Sequence, residues 1–409
     1  MKKFSATPHR VQKSYFKRII LFLGAQRRDP WPAIKLIAVL VFAMLLAGEY
    51  FGPSKSIPAP ATKPDDTAQK VGQMLMIGFR GTDANQNSYI AKAIKELNLG
   101  GVILFDYDVP SKTEARNITS PEQTKKLVAN LKSHASSGKL LVAVDAEGGK
   151  VNRLDPALGF ADIPAAKELG KAGVGAALES YWTLARQLAG LGFNINFGPV
   201  VDVDINPKNP VIGALGRSYS VDPERVAALA RAFVAAHRSF GVLTSLKHFP
   251  GHGSSASDSH LGLADVTETY DRTELAPYEQ LIKENAADAI MSAHIIDQNI
   301  DPELPATLSP KFIDDILRKK LGFDGVVFSD DMDMGAIVDN YGFEDSIVRA
   351  INAGCDILIF SNNDKVYDET APYRARDAIL NAVKDGRISR DRVDQAYARI
   401  TKLKEKLER

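Results

Sequence analysis

The stretch Gly325-Val-Val-Phe-Ser-Asp330 is a short apolar run that ends on a carboxylate. Its length and its β-branched content are typical of a buried strand in a parallel sheet. Further runs of this kind recur along the chain, separated by helical patterns. They cover residues 71–79, 101–106, 140–145, 195–204, 242–248, 289–294 and 357–361. The chain therefore alternates strands with helices, which is the order expected of parallel βα units.

The helical patterns between the runs have recognisable starts and stops. Asp222-Pro223 predicts an N-cap followed by a helix over 223–240, and Ser309-Pro310 predicts the same for a helix over 310–321. A final helix is predicted over 391–407. Eight strands with intervening helices predict a single (β/α)₈ TIM-type barrel. A doubly wound open sheet is the alternative, and the lack of a G-x-G-x-x-G turn after the first run counts against it.

The composition is that of an ordinary globular chain. There are 51 Lys and Arg against 50 Asp and Glu, a net charge of +1, so the protein has no global field to gather nucleic acid. Nucleic-acid binding is therefore not expected. The single cysteine, Cys355, allows no intramolecular disulfide and no cysteine-based metal site. Its apolar surroundings predict a packing role in a strand.

The N-terminal region differs from the rest of the chain. Residues 1–51 combine a basic start with an apolar run over 36–48, which predicts an export signal. The run is shorter than the roughly 20 residues that span a bilayer, so a cleaved signal peptide and a membrane anchor through 36–51 both remain open. Residues 52–66 contain four prolines and predict a linker. The folded domain is expected to cover 67–409.

The barrel prediction locates the candidate site, because such barrels carry their catalytic groups at the carboxyl ends of the strands. Several runs end on polar residues, and these ends should converge on one rim. The residues concerned are Asp145, Asp202, Asp204, Lys247, His248, His294, Asp330 and Asp331.

Three of the seven histidines lie in the segment 247–260, whose Gly, Ser and Pro content predicts a loop. One hypothesis is a zinc site made by His248, His252 and His260, although the usual helical spacing is not available across Pro250-Gly251. Another is that these are ordinary surface or core histidines. The third is acid–base catalysis, in which Asp258 orients the imidazole of His260. For Asp330 and Asp331, metal binding, helix capping and nucleophilic attack on a sugar are all compatible with the spacing.

At these residues the sequence resembles glycoside hydrolase family 3, in its β-N-acetylglucosaminidase branch. Residues 247–260 are similar to the fifth-strand signature of the family, and residues 322–331 to its nucleophile strand. The resemblance extends to motifs at 144–149, 198–202, 216–219 and 291–294, and it covers nearly all of 67–409.

The resemblance implies roles for particular residues. Asp330 corresponds to the nucleophile of the family, and Asp258 with His260 to the acid/base pair. A pocket for the terminal N-acetylglucosamine is implied at Asp145, Arg217, Lys247, His248 and Met291. We expect neither a metal ion nor a cofactor.

Together these observations predict a retaining β-N-acetylglucosaminidase that acts on β-linked glycans, with peptidoglycan fragments as the expected substrate. A β-glucosidase or β-xylosidase of the same family and a catalytically weak sugar-binding relative are the alternatives. Two features depart from the family pattern. Members in Gram-negative bacteria commonly work in the cytoplasm, whereas the export segment predicts a periplasmic or secreted protein. The chain also ends soon after the eighth βα unit, so the second domain of many family β-glucosidases is not expected.

Overall fold

The computed structural model describes residues 31–50, 65–136, 139–259 and 262–408. The chain divides into two compact units, Met1–Pro64 and Asp65–Arg409. The described part of the first unit is a helix, α1 (Trp31–Tyr50). Within the described ranges, no helix is both long enough and apolar enough to cross a membrane. The rest of the predicted signal segment, and residues 52–64 of the predicted linker, lie outside the described residues.

The second unit is built around a closed barrel of eight parallel strands. Each strand pairs with the next one along the chain, and the first pairs with the last through Leu75 and Leu358. The strands are β1 (Leu75–Gly78), β2 (Gly101–Leu104), β3 (Leu141–Val144), β4 (Ile195–Asn196), β5 (Leu243–Phe249), β6 (Ala289–Ser292), β7 (Val326–Asp331) and β8 (Ile357–Phe360). The predicted TIM-type barrel is therefore confirmed, and the doubly wound sheet is wrong.

Helices flank the barrel strands and cover their outer faces. The α-helices are α2 (Thr67–Gln73), α3 (Tyr89–Leu97), α4 (Pro121–Ser133), α5 (Ala166–Ala172), α6 (Val174–Leu191), α7 (Pro223–Arg238), α8 (Ala276–Lys283), α9 (Gly335–Tyr341), α10 (Phe343–Ala353), α11 (Ala371–Lys384) and α12 (Arg390–Glu405). The Asp222 side chain accepts a hydrogen bond from the Glu224 amide, so the predicted cap of α7 is confirmed.

Short elements complete the second unit. Single 3₁₀ turns cover Pro156–Leu158, Arg272–Leu275, Ala306–Leu308 and Lys406–Glu408. Three two-stranded ladders lie outside the barrel, Tyr107–Asp108 with Thr113–Glu114, Ala146–Gly148 with Val151–Asn152, and Ala264–Asp265 with Ile295–Ile296. The second of these begins directly after Asp145 and therefore lies next to a predicted site residue.

Several predicted elements have different bounds or types in the structure. Residues 71–73 belong to α2 rather than to the first strand, because a short apolar run does not distinguish a buried helix from a strand. The fourth strand ends at Asn196. Beyond it the backbone makes separate bonds, such as that from the Ser245 amide to the Gly198 carbonyl at 3.0 Å, Pro199 has no N–H to donate, and Val200 forms an isolated bridge with Lys247. The segment Lys311–Lys320 is a π-helix, not an α-helix. Cys355 is buried as expected but precedes β8.

Asparagine side chains compensate for the short β4. Asn196 accepts from the Ala146 amide at 3.1 Å and donates to the Ala146 carbonyl at 2.9 Å. Asn194 makes the same kind of double contact with the amide of Val142 and the carbonyl of Leu140. Buried backbone groups in β3 and on either side of it are thereby satisfied without a longer neighbouring strand. This keeps β3 and the residues that follow it in a fixed position.

Candidate active site

A cavity of about 410 Å³ opens at the carboxyl ends of the barrel strands. Six residues predicted from the sequence line it, and they come from strands or loops that are distant along the chain. These are Asp145, Arg217, Lys247, His248, Met291 and Asp330. Asp258 is half-buried and is not among the lining side chains. His260, the predicted acid/base, lies outside the described residues.

Four charged side chains form a compact cluster in the cavity wall. Lys247 Nζ lies 2.6 Å from Asp145 Oδ1 and 2.7 Å from Glu147 Oε1. Arg217 forms a bidentate pair with Glu147, with Nε to Oε2 at 2.8 Å and Nη2 to Oε1 at 2.7 Å. Two cations thus balance two anions in a region from which water is largely excluded.

The protonation state of Glu147 follows from its neighbours. Burial alone raises the pKa of this carboxyl, but the charges of Arg217 and Lys247 outweigh burial and lower the pKa to about 2. Glu147 is therefore ionised across the physiological range. Its two oxygens are already used by the two cations, so its role is to hold them in place.

His248 has a defined tautomer. Its Nε2 lies 3.2 Å from Arg217 Nη2, and a guanidinium only donates, so Nε2 is an acceptor. The proton is then on Nδ1, which donates to Asp202 Oδ2 at 2.7 Å. Both ring nitrogens are committed, which leaves none for a zinc ion. Among the described residues, no group of three or more His, Cys, Asp or Glu side chains is arranged to hold a metal.

The two carboxylates at the end of β7 differ in their surroundings. Asp331 accepts hydrogen bonds from the Ser361 amide at 2.9 Å, from the Ser361 hydroxyl and from the Asp333 amide at 3.2 Å. Burial, with a further contribution from Asp333, raises the pKa of Asp331 well above its usual range. Asp330 accepts the Asp331 amide at 2.8 Å through Oδ1. Asp331 thus fastens the loop after β8.

The loop after β5 also reaches the cavity. Ser259 and His252 line it, and His252 Nε2 lies 3.1 Å from the Ser259 hydroxyl. Burial lowers the pKa of His252 to about 4, so this imidazole is neutral near pH 7. A neutral, buried ring is not a proton donor to substrate. Of the three histidines in the segment, neither His248 nor His252 competes with His260 for that role.

Sequence reasoning missed some residues of the site. Glu147 was within a recognised motif, but nothing in the sequence showed that it bridges Arg217 and Lys247. Asp202 stood out only as a polar strand end, whereas it binds the His248 ring and accepts the amides of His248 and His252 at 3.1 and 2.9 Å. The sequence offered one signal for Glu147, namely that it is an acidic residue two positions after the strand-end aspartate Asp145.

Comparisons with known proteins identify the family of the chain. The family model described as Glycosyl hydrolase family 3 N terminal domain matches residues 66–403. The chain is 32% identical over 385 residues to Beta-hexosaminidase A of Pseudoalteromonas piscicida, covering 85% of this chain and 62% of that protein. It is 36% identical over 295 residues to the Beta-hexosaminidase of Tolumonas auensis, covering 71% and 83%.

Solved structures give the same result. A glycoside hydrolase family 3 beta-N-acetylglucosaminidase from Paenibacillus sp. str. FPU-7 superposes with a TM-score of 0.75 at 38% identity, covering 83% of this chain and 62% of that one. The Beta-N-acetylhexosaminidase from Beutenbergia cavernae DSM 12333 has a TM-score of 0.71 at 30% identity, covering 83% and 98%. The chain therefore spans somewhat less than two thirds of its first relative in each comparison and nearly all of the Beutenbergia protein.

Proposed function

The chain belongs to glycoside hydrolase family 3, and from this premise we propose that it is a retaining β-N-acetylglucosaminidase. Its expected reaction removes terminal non-reducing N-acetylglucosamine from β-linked glycans, with peptidoglycan fragments as the natural substrate class. The observation that carries the proposal is the cavity lined by Asp330 together with Asp145, Lys247 and Arg217. Glu147 holds the two cations from behind. Relatives named beta-hexosaminidase add support.

The charged cluster suits the binding of one terminal sugar. Asp145 is an acceptor, and Lys247 and Arg217 are donors, so hydroxyl and amide groups of a sugar have charged partners of both kinds. The cluster is neutral overall, so it selects for hydrogen bonding rather than for charge. Met291 contributes an apolar contact to the same wall.

In the proposed mechanism Asp330 attacks the anomeric carbon while the bond to the leaving oxygen breaks. His260, oriented by Asp258, donates its proton to that oxygen. The neutral imidazole then takes a proton from water, the water oxygen attacks the anomeric carbon, and the Asp330 carboxylate departs. Two inversions at the same carbon give net retention.

A histidine acid/base also bears on the leaving group. After donation the imidazole is neutral, so it places no second negative charge next to the departing sugar. A carboxylic acid in that position would become an anion. The arrangement therefore favours an anionic leaving group, such as a derivative of muramic acid.

The proposal is tested with residues 52–409 and matched aryl glycosides. We expect 4-nitrophenyl N-acetyl-β-glucosaminide to be cleaved with a kcat/KM at least about 100-fold above that of the glucoside and the xyloside, since a site built to bind the acetamido group discriminates strongly. Equal or greater rates on the glucoside or xyloside would indicate the alternative activity. Binding of N-acetylglucosamine without turnover of any of the three would indicate a sugar-binding relative.

A further inference from the structure

Glu274 is a buried carboxyl that the proposed mechanism does not use. It lies in the 3₁₀ turn Arg272–Leu275, is 0% exposed and does not line the cavity. Within the described ranges, no Lys or Arg side chain is within ion-pair distance of it. Burial raises its pKa to about 8. An uncompensated buried carboxyl is costly, so its hydrogen-bond partners indicate what it does.

Both of its oxygens bind the backbone of the loop after β5. Oε2 accepts the Gly253 amide at 2.6 Å, and Oε1 accepts the Ser254 amide at 3.0 Å. The loop backbone approaches so closely that a Cβ on Gly251 would lie 2.5 Å from the Glu274 Cβ. The φ of Gly251 is +128°, which also favours glycine there. The loop and Glu274 therefore fit one another closely.

Residues 250–255, which we call the stem, are held from two sides. From the loop after β4, Asp202 accepts the His252 amide at 2.9 Å and Asn209 donates to the His252 carbonyl at 2.7 Å. From the segment before α8, Glu274 holds the two amides and the Tyr270 hydroxyl donates to the Pro250 carbonyl at 3.0 Å. The chain reaches Asp258 three residues beyond the stem.

We propose that Glu274 is a positioning residue, which fixes the stem and thereby the position of Asp258, the carboxylate proposed to orient the acid/base. This inference rests on the proposed role of His260. A carboxyl is required because two amides must be accepted by two different oxygens. In Glu274→Gln the side chain has one acceptor, and its NH₂ group faces a backbone N–H, so one bond to the stem is lost.

The predicted signature is a loss that depends on the leaving group. If the catalytic acid is displaced, a poor leaving group is protonated less effectively and departs more slowly. A good leaving group departs without being protonated, so its rate is less affected. We expect Glu274→Gln to lower kcat for phenyl N-acetyl-β-glucosaminide about tenfold or more, and for the 2,4-dinitrophenyl glycoside by less than about threefold. Inhibition by free N-acetylglucosamine should not change, because Glu274 does not line the cavity.

Asp301→Asn is the matched control. Asp301 is also buried and does not line the cavity. Its Oδ1 accepts the amides of Glu303 at 3.1 Å and Leu304 at 3.3 Å and lies 3.9 Å from Lys311 Nζ, and its Oδ2 accepts the Ser309 hydroxyl at 2.5 Å. It therefore reports what the loss of a buried carboxyl does to folding alone. In Asp301→Asn the ratio of kcat for the phenyl glycoside to kcat for the 2,4-dinitrophenyl glycoside should equal the wild-type ratio, whatever the melting temperature of the variant.

The experiment compares wild type, His260→Ala, Glu274→Gln and Asp301→Asn on both substrates. Equal losses on the two substrates in Glu274→Gln would overturn the positioning role and leave the proposed function intact. A wild type that cleaves neither substrate, or a His260→Ala variant without leaving-group dependence, would overturn the proposed function and this inference with it. If Glu274→Gln does not fold, Glu274→Asp is used in its place to test the positioning role. Its shorter side chain should shift the rate ratio at least about threefold, and an unchanged ratio would refute the role.

Discussion

Two adjacent carboxylates at the end of β7 have different partners, and the partners separate their expected roles. Asp331 receives three hydrogen bonds from the loops that follow β7 and β8, and its raised pKa disfavours the anion. A group in that state is a weak nucleophile. Asp330 lines the same cavity and accepts one backbone amide through Oδ1. Chemistry is therefore expected at Asp330 and support of the loop at Asp331.

Replacing each carboxylate by its amide tests this division. Asp330→Asn should lower kcat at least about 10³-fold, because the amide neither attacks the anomeric carbon nor stabilises positive charge developing there. Asp331→Asn should remain within about 100-fold of wild type, since it only disturbs the position of the loop. A mechanism-based fluoro-sugar, followed by mass spectrometry, should label Asp330. Labelling of Asp331 would show that the nucleophile is misassigned.

Lys247 is the residue on which the charged cluster depends most. In Lys247→Met the carboxylates of Asp145 and Glu147 lose the cation between them, and they are left close together in a buried site. We expect the free energy of unfolding to fall by about 3–5 kcal/mol and the KM for the N-acetylglucosaminide to rise. Chemical denaturation and steady-state kinetics measure the two effects. Surface substitutions usually change stability by less than about 1 kcal/mol. A change of that size in Lys247→Met would contradict the proposed dependence of the cluster on Lys247.

At the scale of elements, the barrel strands were predictable and their limits were not. The barrel strands, including the one that begins after Gly325, are buried on both faces. Strands of this kind are continuously apolar, and a short window of sequence shows that composition. The short β4 is instead supported by Asn194 and Asn196, whose side chains accept the amides of Val142 in β3 and of Ala146 just beyond it. Such partners are distant along the chain, so no window of sequence contains them.

Helix α7 carries a buried histidine whose state predicts a pH dependence. His237 Nδ1 lies 2.8 Å from the Phe233 carbonyl, and Nε2 lies 3.1 Å from Asn196 Nδ2, so the neutral ring is the one that fits. Burial lowers its pKa to about 4. Between pH 6.5 and 4 the unfolded chain binds a proton here that the folded chain does not, so stability falls as the pH falls.

The effect of His237 should reach about 3 kcal/mol below pH 4. It is measured from urea unfolding between pH 7 and pH 4. His237→Phe should make the decline shallower over that window, because Phe does not titrate and its ring replaces the stack on Phe233. Some decline should remain, since the pKa of His252 is lowered in the same way. An identical slope in the variant would rule out His237 as its source.

At the scale of the whole second unit, its last helix is bonded to its first elements. Lys404 in α12 donates to Gln73 Oε1 at 2.7 Å and to the Gly100 carbonyl at 2.8 Å. Burial lowers the pKa of Lys404 to about 7. The sequence predicted a terminal helix here, but not that its lysine is buried, because an amphipathic pattern shows a helical face without identifying its partner.

The same reason limits what could be predicted of the site. Residues at strand ends were identifiable because barrel topology brings all such ends to one rim. The holding roles of Glu147, Asp202 and Glu274 were not identifiable, because they lie in contacts across 21 to 70 positions of sequence. Six of the eight named site residues line the cavity, while Asp258 does not and His260 lies outside the described residues.

The last prediction concerns the location of the whole protein. A basic segment precedes the apolar run 36–48, and positive charge is normally retained on the cytoplasmic side, so the catalytic unit is expected outside the cytoplasm.

A reporter fused after Asp66 measures this directly. Alkaline phosphatase, which requires an oxidising compartment, should be active in the fusion, and deletion of residues 36–48 should abolish that activity while leaving the amount of fusion protein unchanged. Washing membranes with high salt and with alkaline buffer then separates an uncleaved anchor from a released protein, because only the former stays with the lipid. The alkaline phosphatase fusion could instead be inactive, while a reporter that works in the cytoplasm is active when fused at the same point. If deletion of residues 36–48 changed neither activity, residues 1–51 would not direct export.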